Sequence, residues 1–208
     1  RVGKTSAIIS QPSGAKLMVE DGVCEEFDVI AGCHVDNTID AGSIMIRENG
    51  VLASSDYFTI ELNGLAGHAA APHAACDALA MGVKVYNEIM SIPRMINPSI
   101  PQVITISVFK AGEKANIIPD YCYLEGTIRT HNDTVADLIR RKISELADRV
   151  ADQFGGSAKT EINIGLPALV NNPVIVKKAL TGAQKEGVKI IGPVTLPPMY
   201  AEDFAYYL

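Results

Sequence analysis

The chain has 208 residues, of which 48% are hydrophobic and 20% charged, a balance that suits a folded globular chain and excludes disorder as its main state. With 18 basic against 24 acidic residues, a formal net charge of −6 and no dense Lys/Arg run, it lacks the basic stripe of a nucleic-acid binder. No apolar run approaches the ~18 residues of a membrane span, so an integral membrane protein is excluded as well.

In chain order, Ser6–Ser10 reads as a short apolar strand and Ala15–Asp21 as a helix stopped by Gly22. Glu25-Glu26 has the look of a carboxylate pair but sits in a solvated turn. Phe27–Cys33 is almost continuously apolar, which predicts a strand buried on both faces of an α/β sheet. Tyr57–Leu62 alternates, with Phe58, Ile60 and Leu62 on one face. A helix is predicted over Cys76–Ser91, its inward stripe being Leu79, Val83, Tyr86 and Met90, with Pro93 as the stop. Val103–Lys110 is a strand with Ile104, Ile106 and Val108 on one face, and Tyr121–Thr130 alternates through Cys122, Leu124, Gly126 and Ile128. Asn132 caps a long helix with the stripe Val135, Leu138, Ile139, Ile143, Leu146 and Val150, closed by Gly155-Gly156. A last strand over Ala158–Ile164 turns Ile162 and Ile164 inward, and Asn172-Pro173 starts a helix over Val174–Gln184.

The order β-α-β-β-α-β across the middle predicts a ferredoxin-like unit, a four-stranded antiparallel sheet with both helices on one side. The flanks read as pieces of one α/β domain interrupted by that unit. The expected division is 1–54 and 167–208 for the α/β domain and 55–166 for the insert. The chain opens on Arg1 and closes on the apolar-aromatic run Phe204–Leu208, and neither end resembles a natural terminus. Cys24, Cys33, Cys76 and Cys122 form no CxxC pair and read as reduced, buried thiols of a cytoplasmic protein.

Four residues invite a functional reading. His34, two residues before Asp36, follows the apolar run and so lies where α/β sheets place ligands, either as a metal ligand or as a hydrogen-bonded strand-end histidine. His68 stands among small residues in Gly64-Leu65-Ala66-Gly67-His68-Ala69-Ala70-Ala71-Pro72-His73, a loop able to approach a ligand closely or simply a solvated one. Asn116 links two strands and Arg129 ends one. Arg129 is placed to clamp a carboxylate in a bidentate fork, or the two are a turn asparagine and a rim arginine. His131 precedes a helix cap and is expected in solvent.

Seven segments stand in the order of one known family: Ser10-Gln11-Pro12, Gly14-Ala15-Lys16-Leu17-Met18, Gly32-Cys33-His34-Val35, Gly67–His73, Asn116-Ile117-Ile118-Pro119-Asp120, Gly126-Thr127-Ile128-Arg129-Thr130 and Glu202-Asp203-Phe204. With them the chain resembles the dizinc aminoacylase/carboxypeptidase metallopeptidases, in the amidohydrolase branch that holds hippurate hydrolases, N-acyl-amino-acid amidohydrolases and N-acetyl-diaminopimelate deacetylases. The resemblance implies a discontinuous α/β zinc-peptidase-like catalytic domain, incomplete here, carrying an inserted ferredoxin-like lid through which the protein forms a homodimer. It implies His34 as a metal ligand and His68 as the lid histidine that steadies the oxyanion in the partner subunit's site. Asn116 and Arg129 would hold the substrate. It further implies two divalent metal ions (zinc, or manganese, cobalt or nickel) and hydrolysis of N-acyl amino acids by metal-activated water. The family's acidic pair after Gln-Pro is absent, since Gln11-Pro12 runs into Ser13-Gly14. Its N-terminal ligands and its C-terminal histidine are absent too. The 208 residues are therefore expected to be part of a longer enzyme. The alternative is an inactive homologue that serves as a small-molecule-binding or dimerisation scaffold.

Overall fold

The computed structural model describes residues 13–48, 50–192 and 198–208. The strand expected over Ser6–Ser10 and the Ser10-Gln11-Pro12 segment lie outside them. In chain order the elements are α1 (Gly14–Glu20), β1 (Ser43–Met45), β2 (Gly50–Leu52), β3 (Ser55–Asn63), β4 (Gly67–His68), α2 (Ala78–Ser91), β5 (Gln102–Ala111), β6 (Ile117–Ile118), β7 (Tyr121–Thr130), α3 (Asp133–Phe154), β8 (Ser157–Leu166), β9 (Leu169–Val170), α4 (Pro173–Lys185) and β10 (Lys189–Ile191). The backbone divides into two compact units, Ser54–Ile164 and the flanks Arg1–Ala53 with Gly165–Leu208. No helix among the described residues is long and apolar enough to cross a membrane.

The central unit is a mixed α/β sandwich. Its sheet has the order β5-β7-β3-β8, and β7 runs antiparallel to both β3 and β5. Strict alternation on β3 and β7 sends Phe58, Ile60, Leu62, Cys122, Leu124 and Ile128 to one face. There they meet Met81, Val85 and Ile89 of α2 and Ile139, Ile143 and Val150 of α3, all fully buried. At roughly 2 kcal/mol per buried large side chain, this one core accounts for most of the unit's stability. Local signals start and stop the helices. Asp77 accepts from the Ala80 amide at 3.0 Å and Asn132 from the Val135 amide at 3.0 Å. Gly155, at φ 74°, closes α3 in the left-handed conformation. Beneath the sheet's helical face Arg140 forks onto the wholly buried Asp56, with Nε and Nη2 at 2.8 and 2.6 Å from Oδ2.

Three strand and helix faces differ from expectation. On α2 the buried side is Ala78, Met81, Gly82, Val85 and Ile89, whereas Leu79, Val83, Tyr86 and Met90 are exposed. The helix is apolar on two sides, and its small residues choose the inward one. A Cβ at Gly82 would lie 2.9 Å from the Phe109 ring, so only glycine permits this approach. On β5 a bulge between Ile106 and Val108 moves Val108 opposite Glu125 on the open face and brings Phe109 opposite Leu124 on the core face. Ile164 is 69% exposed, because the core side of β8 ends at Ile162.

In the flanking unit β1 pairs parallel with β10 and β2 antiparallel with β9. Asn172 caps α4 through the Val174 amide at 2.9 Å. Residues 27–33 form no strand. Phe27 and Val29 are 61% and 51% exposed, since no described strand pairs with the segment, and Cys33 is exposed with it.

Candidate active site

His68 sits on a short ribbon that prolongs the β3–β7 ladder beyond the sheet. Asn63 faces Tyr121, the Gly64 amide donates to the Asp120 carbonyl at 2.8 Å, Gly67 faces Ile118 and His68 faces Ile117. The Ala69 amide donates to the Asn116 carbonyl at 3.0 Å, which ties the backbone of Asn116 across from the residue that follows His68. Leu65 and Cys76 exchange two backbone hydrogen bonds of 2.9 Å and close the loop at its base. Small residues let the two limbs meet, and a Cβ at Gly67 would lie 2.6 Å from that of Ala75. The loop is thus a braced platform with an exposed imidazole on it. His68 Nδ1 accepts from the Ala70 amide at 3.1 Å within a turn closed by the Ala71 amide on the His68 carbonyl at 2.8 Å.

Arg129 is not part of this platform. It lies at the other end of β7, opposite Val103 of β5 and eight residues from Tyr121. At about 3.4 Å per residue the strand alone separates them by roughly 27 Å. Within one central unit, therefore, His68 and Asn116 come together and Arg129 does not join them. His131, expected in solvent, has its ring nitrogens shut off from it.

His34 belongs to the flanking unit. Its Nε2 lies 2.7 Å from Oε2 of Glu202, 168 residues away in sequence, and its side chain is 74% exposed. The neighbouring Asp203 accepts from the Ala15 amide at 3.3 Å, and a Cβ at Gly32 would lie 3.0 Å from the Phe204 ring. Gly32, His34, Glu202 and Phe204 thus come from two distant segments to one place. An imidazole with one nitrogen pinned by a carboxylate is the usual form of a metal-ligating histidine, the other nitrogen being the ligand. The donor set suits one corner of a divalent-metal site, and among the described residues no group of three His, Cys, Asp or Glu closes one. Pairing of Glu202 with His34 was not predicted. The only signal in the sequence was the Glu202-Asp203-Phe204 segment itself.

Two further features flank the platform. A shallow depression of about 440 Å³ lies between the ribbon and the start of α2, with Ala69, Asp77, Leu79, Lys114 and Pro119 among its lining residues. Leu79 also begins the exposed apolar stripe of α2, so depression and stripe are continuous. On the open face of the sheet the Tyr123 hydroxyl donates to Glu125 at 2.9 Å, and burial followed by that carboxylate pushes its pKa up to about 12. Tyr121 is raised as well, by burial and then by Glu61. These tyrosines stay protonated and structural at neutral pH.

A central βαββαβ unit with an exposed apolar helix flank, and a flanking mixed α/β unit that offers a histidine–carboxylate pair, make this an α/β protein of two compact units. Residues 53–154 match the peptidase dimerisation domain, and the chain belongs to the M20 peptidase family. It is 32% identical over 202 residues to an N-acetyldiaminopimelate deacetylase of Streptococcus pneumoniae (serotype 19F, strain G54), covering 94% of this chain and 53% of the relative. It is 28% identical over 197 residues to the N-acetyl-L-cysteine deacetylase of Bacillus subtilis (strain 168), covering 94% and 47%. A solved Bacillus subtilis structure, described as a dinuclear metal binding peptidase of the M20 family, superposes with a TM-score of 0.77 at 25% identity, covering 94% of this chain and 49% of that one. The chain spans about half the length of the curated relatives it matches.

Proposed function

We propose that the chain is part of a metal-dependent amidohydrolase that cleaves the amide bond of N-acyl amino acids, with 54–164 as its lid and the flanks as part of its catalytic domain. Two deacetylases of N-acetyl amino acids among the relatives support the reaction class. The observation that carries the reading is the braced platform, which holds an exposed imidazole beside Asn116 on rigid backbone. His68 donates to the oxygen on which negative charge develops as the amide carbonyl turns tetrahedral. Asn116 steadies the substrate beside it, and Arg129 takes the amino-acid carboxylate in a charge-assisted fork. His34 would hold one of two divalent ions, zinc or manganese, cobalt or nickel, with Glu202 fixing its ring. When bound, such an ion supplies the activated water.

If Arg129 and His68 serve one substrate, their separation within a copy calls for two copies. In a two-fold dimer, His68 and Asn116 of one copy serve the site that Arg129 of the other helps to form. The self-association face is the flank of α2 with the edge strand β5, where Leu79, Val83, Tyr86, Met90 and Val103 are 38–47% exposed. The four cysteines carry no disulfide, which suits a cytoplasmic enzyme. The test is release of free amino acid from N-acetyl amino acids by the full-length protein, with and without chelator and with each metal restored. Turnover that ignores both chelation and His68→Ala would overturn the reading.

A further inference from the structure

We infer that the backbone amide of Ala70 is a positioning group that fixes His68 as the Nε2–H tautomer, so that the ring offers substrate a hydrogen-bond donor and not a base. The inference rests on the reading of His68 as the residue that faces substrate. A backbone N–H can only donate. The 3.1 Å bond from Ala70 therefore occupies the lone pair of Nδ1, and the single proton of the neutral ring resides on Nε2. The amide cannot swing away. Ala69, before it, is tied to Asn116 at 3.0 Å, and Ala71, after it, to the His68 carbonyl at 2.8 Å. Cross-strand pairing of His68 with Ile117 holds the third side. A general base would need its lone pair on Nε2, and this turn puts the proton there instead. A donor fixed in advance at that atom lowers the barrier without reorganisation when charge appears on the substrate oxygen.

The tautomer can be read directly by long-range ¹H–¹⁵N correlation of the imidazoles, recorded about two pH units above the ordinary histidine range so that the rings are neutral. The Nε2–H pattern is expected for His68 in the full chain, and a mixture of tautomers in Ala70→Pro, which lacks the amide hydrogen. An Nδ1–H pattern in the wild type, or a mixture indifferent to Ala70→Pro, overturns the inference. Two substitutions test the role without touching Ala70. The amide of His68→Gln can put a donor near the imidazole Nε2, whereas His68→Asn reaches only the Nδ1 position. Gln should retain kcat within about tenfold, while Asn should lose the ~10²–10³-fold expected of a missing oxyanion donor, with KM little changed. Equal loss in both refutes the donor role. A wild type that hydrolyses no N-acyl amino acid refutes the enzymatic reading, and the NMR result then still decides the tautomer.

Discussion

If one substrate site draws His68 and Arg129 from different copies, two inactive variants should repair each other. Eight residue steps along β7 separate Tyr121, where the His68 ribbon begins, from Arg129, and at about 3.4 Å per step they span roughly 27 Å. One arginine and one small ligand cannot bridge that gap within a single copy. His68→Ala should lower kcat by ~10²–10³ through loss of the oxyanion donor. Arg129→Ala should remove charge-assisted bonds of about 3 kcal/mol, roughly a hundredfold in kcat/KM. In a dimer with one subunit of each kind, both lesions fall in the same site and the other site is intact. Random exchange of an equimolar mixture makes about half the dimers mixed, so about a quarter of wild-type activity should return. The assay is amino-acid release after subunit exchange, with two affinity tags to verify that mixed dimers form. Mixed dimers with no more activity than the parents would refute the shared site.

Three other outcomes follow from the central unit. Leu79, Val83, Tyr86 and Met90 are 40%, 47%, 38% and 39% exposed, and covering what remains adds about 0.8 kcal/mol each, about 6 kcal/mol over two copies. Val83→Glu should therefore give a monomer by light scattering, and an unchanged dimer would dismiss the α2 flank as the interface. Arg140→Met strands the fully buried Asp56 carboxylate without its fork and should cost about 3–5 kcal/mol in urea unfolding; a loss below about 1 kcal/mol would show the pair to be dispensable. Burial pushes the Cys122 thiol from 9.0 up to about 11. Because the folded value is the higher, its contribution to stability is present below pH 9.0 and lost as the pH rises through about 11. At pH 8, iodoacetamide should label the exposed Cys33 and spare Cys122 until the protein is unfolded; equal labelling rates would contradict the burial.

Much of the central unit was legible because its signals are local. Alternation on β3 and β7, the Asn132 cap and the Gly155 stop each act within a few residues, and the structure follows them. The errors arose where the decision is made by a neighbour distant in sequence. α2 carries two apolar stripes of helical spacing, and periodicity cannot rank them. The choice is made by Phe109 and Cys122, against which only the Gly82 side can lie. The bulge after Ile106 is likewise a property of the β5–β7 pair, invisible on one strand alone. The apolar run 27–33 has the composition of a buried strand, but a buried strand needs partners on both sides, and none of the described strands supplies them.

The candidate site divides along the same line. His68 and Asn116 could be picked out because short, glycine-bearing segments carry them, and the ribbon that joins them is only a cross-strand pair away. Arg129 was picked out with equal reason, yet its distance from the platform depends on strand length and register rather than on residue type. The Glu202 segment stood out, but its pairing with His34 did not, since nothing in that segment points to a histidine 168 positions earlier. What the exposed stripe of α2 and the stranded Arg129 have in common is that each is unfinished in one copy. In the proposed dimer one operation would complete both: a two-fold axis beside the α2 flank would cover the stripe with its own image and would bring a second platform towards the copy that carries the first Arg129. Economy of that kind argues for a single interface serving stability and catalysis together, so that Val83→Glu should lower activity as far as it lowers the dimer fraction.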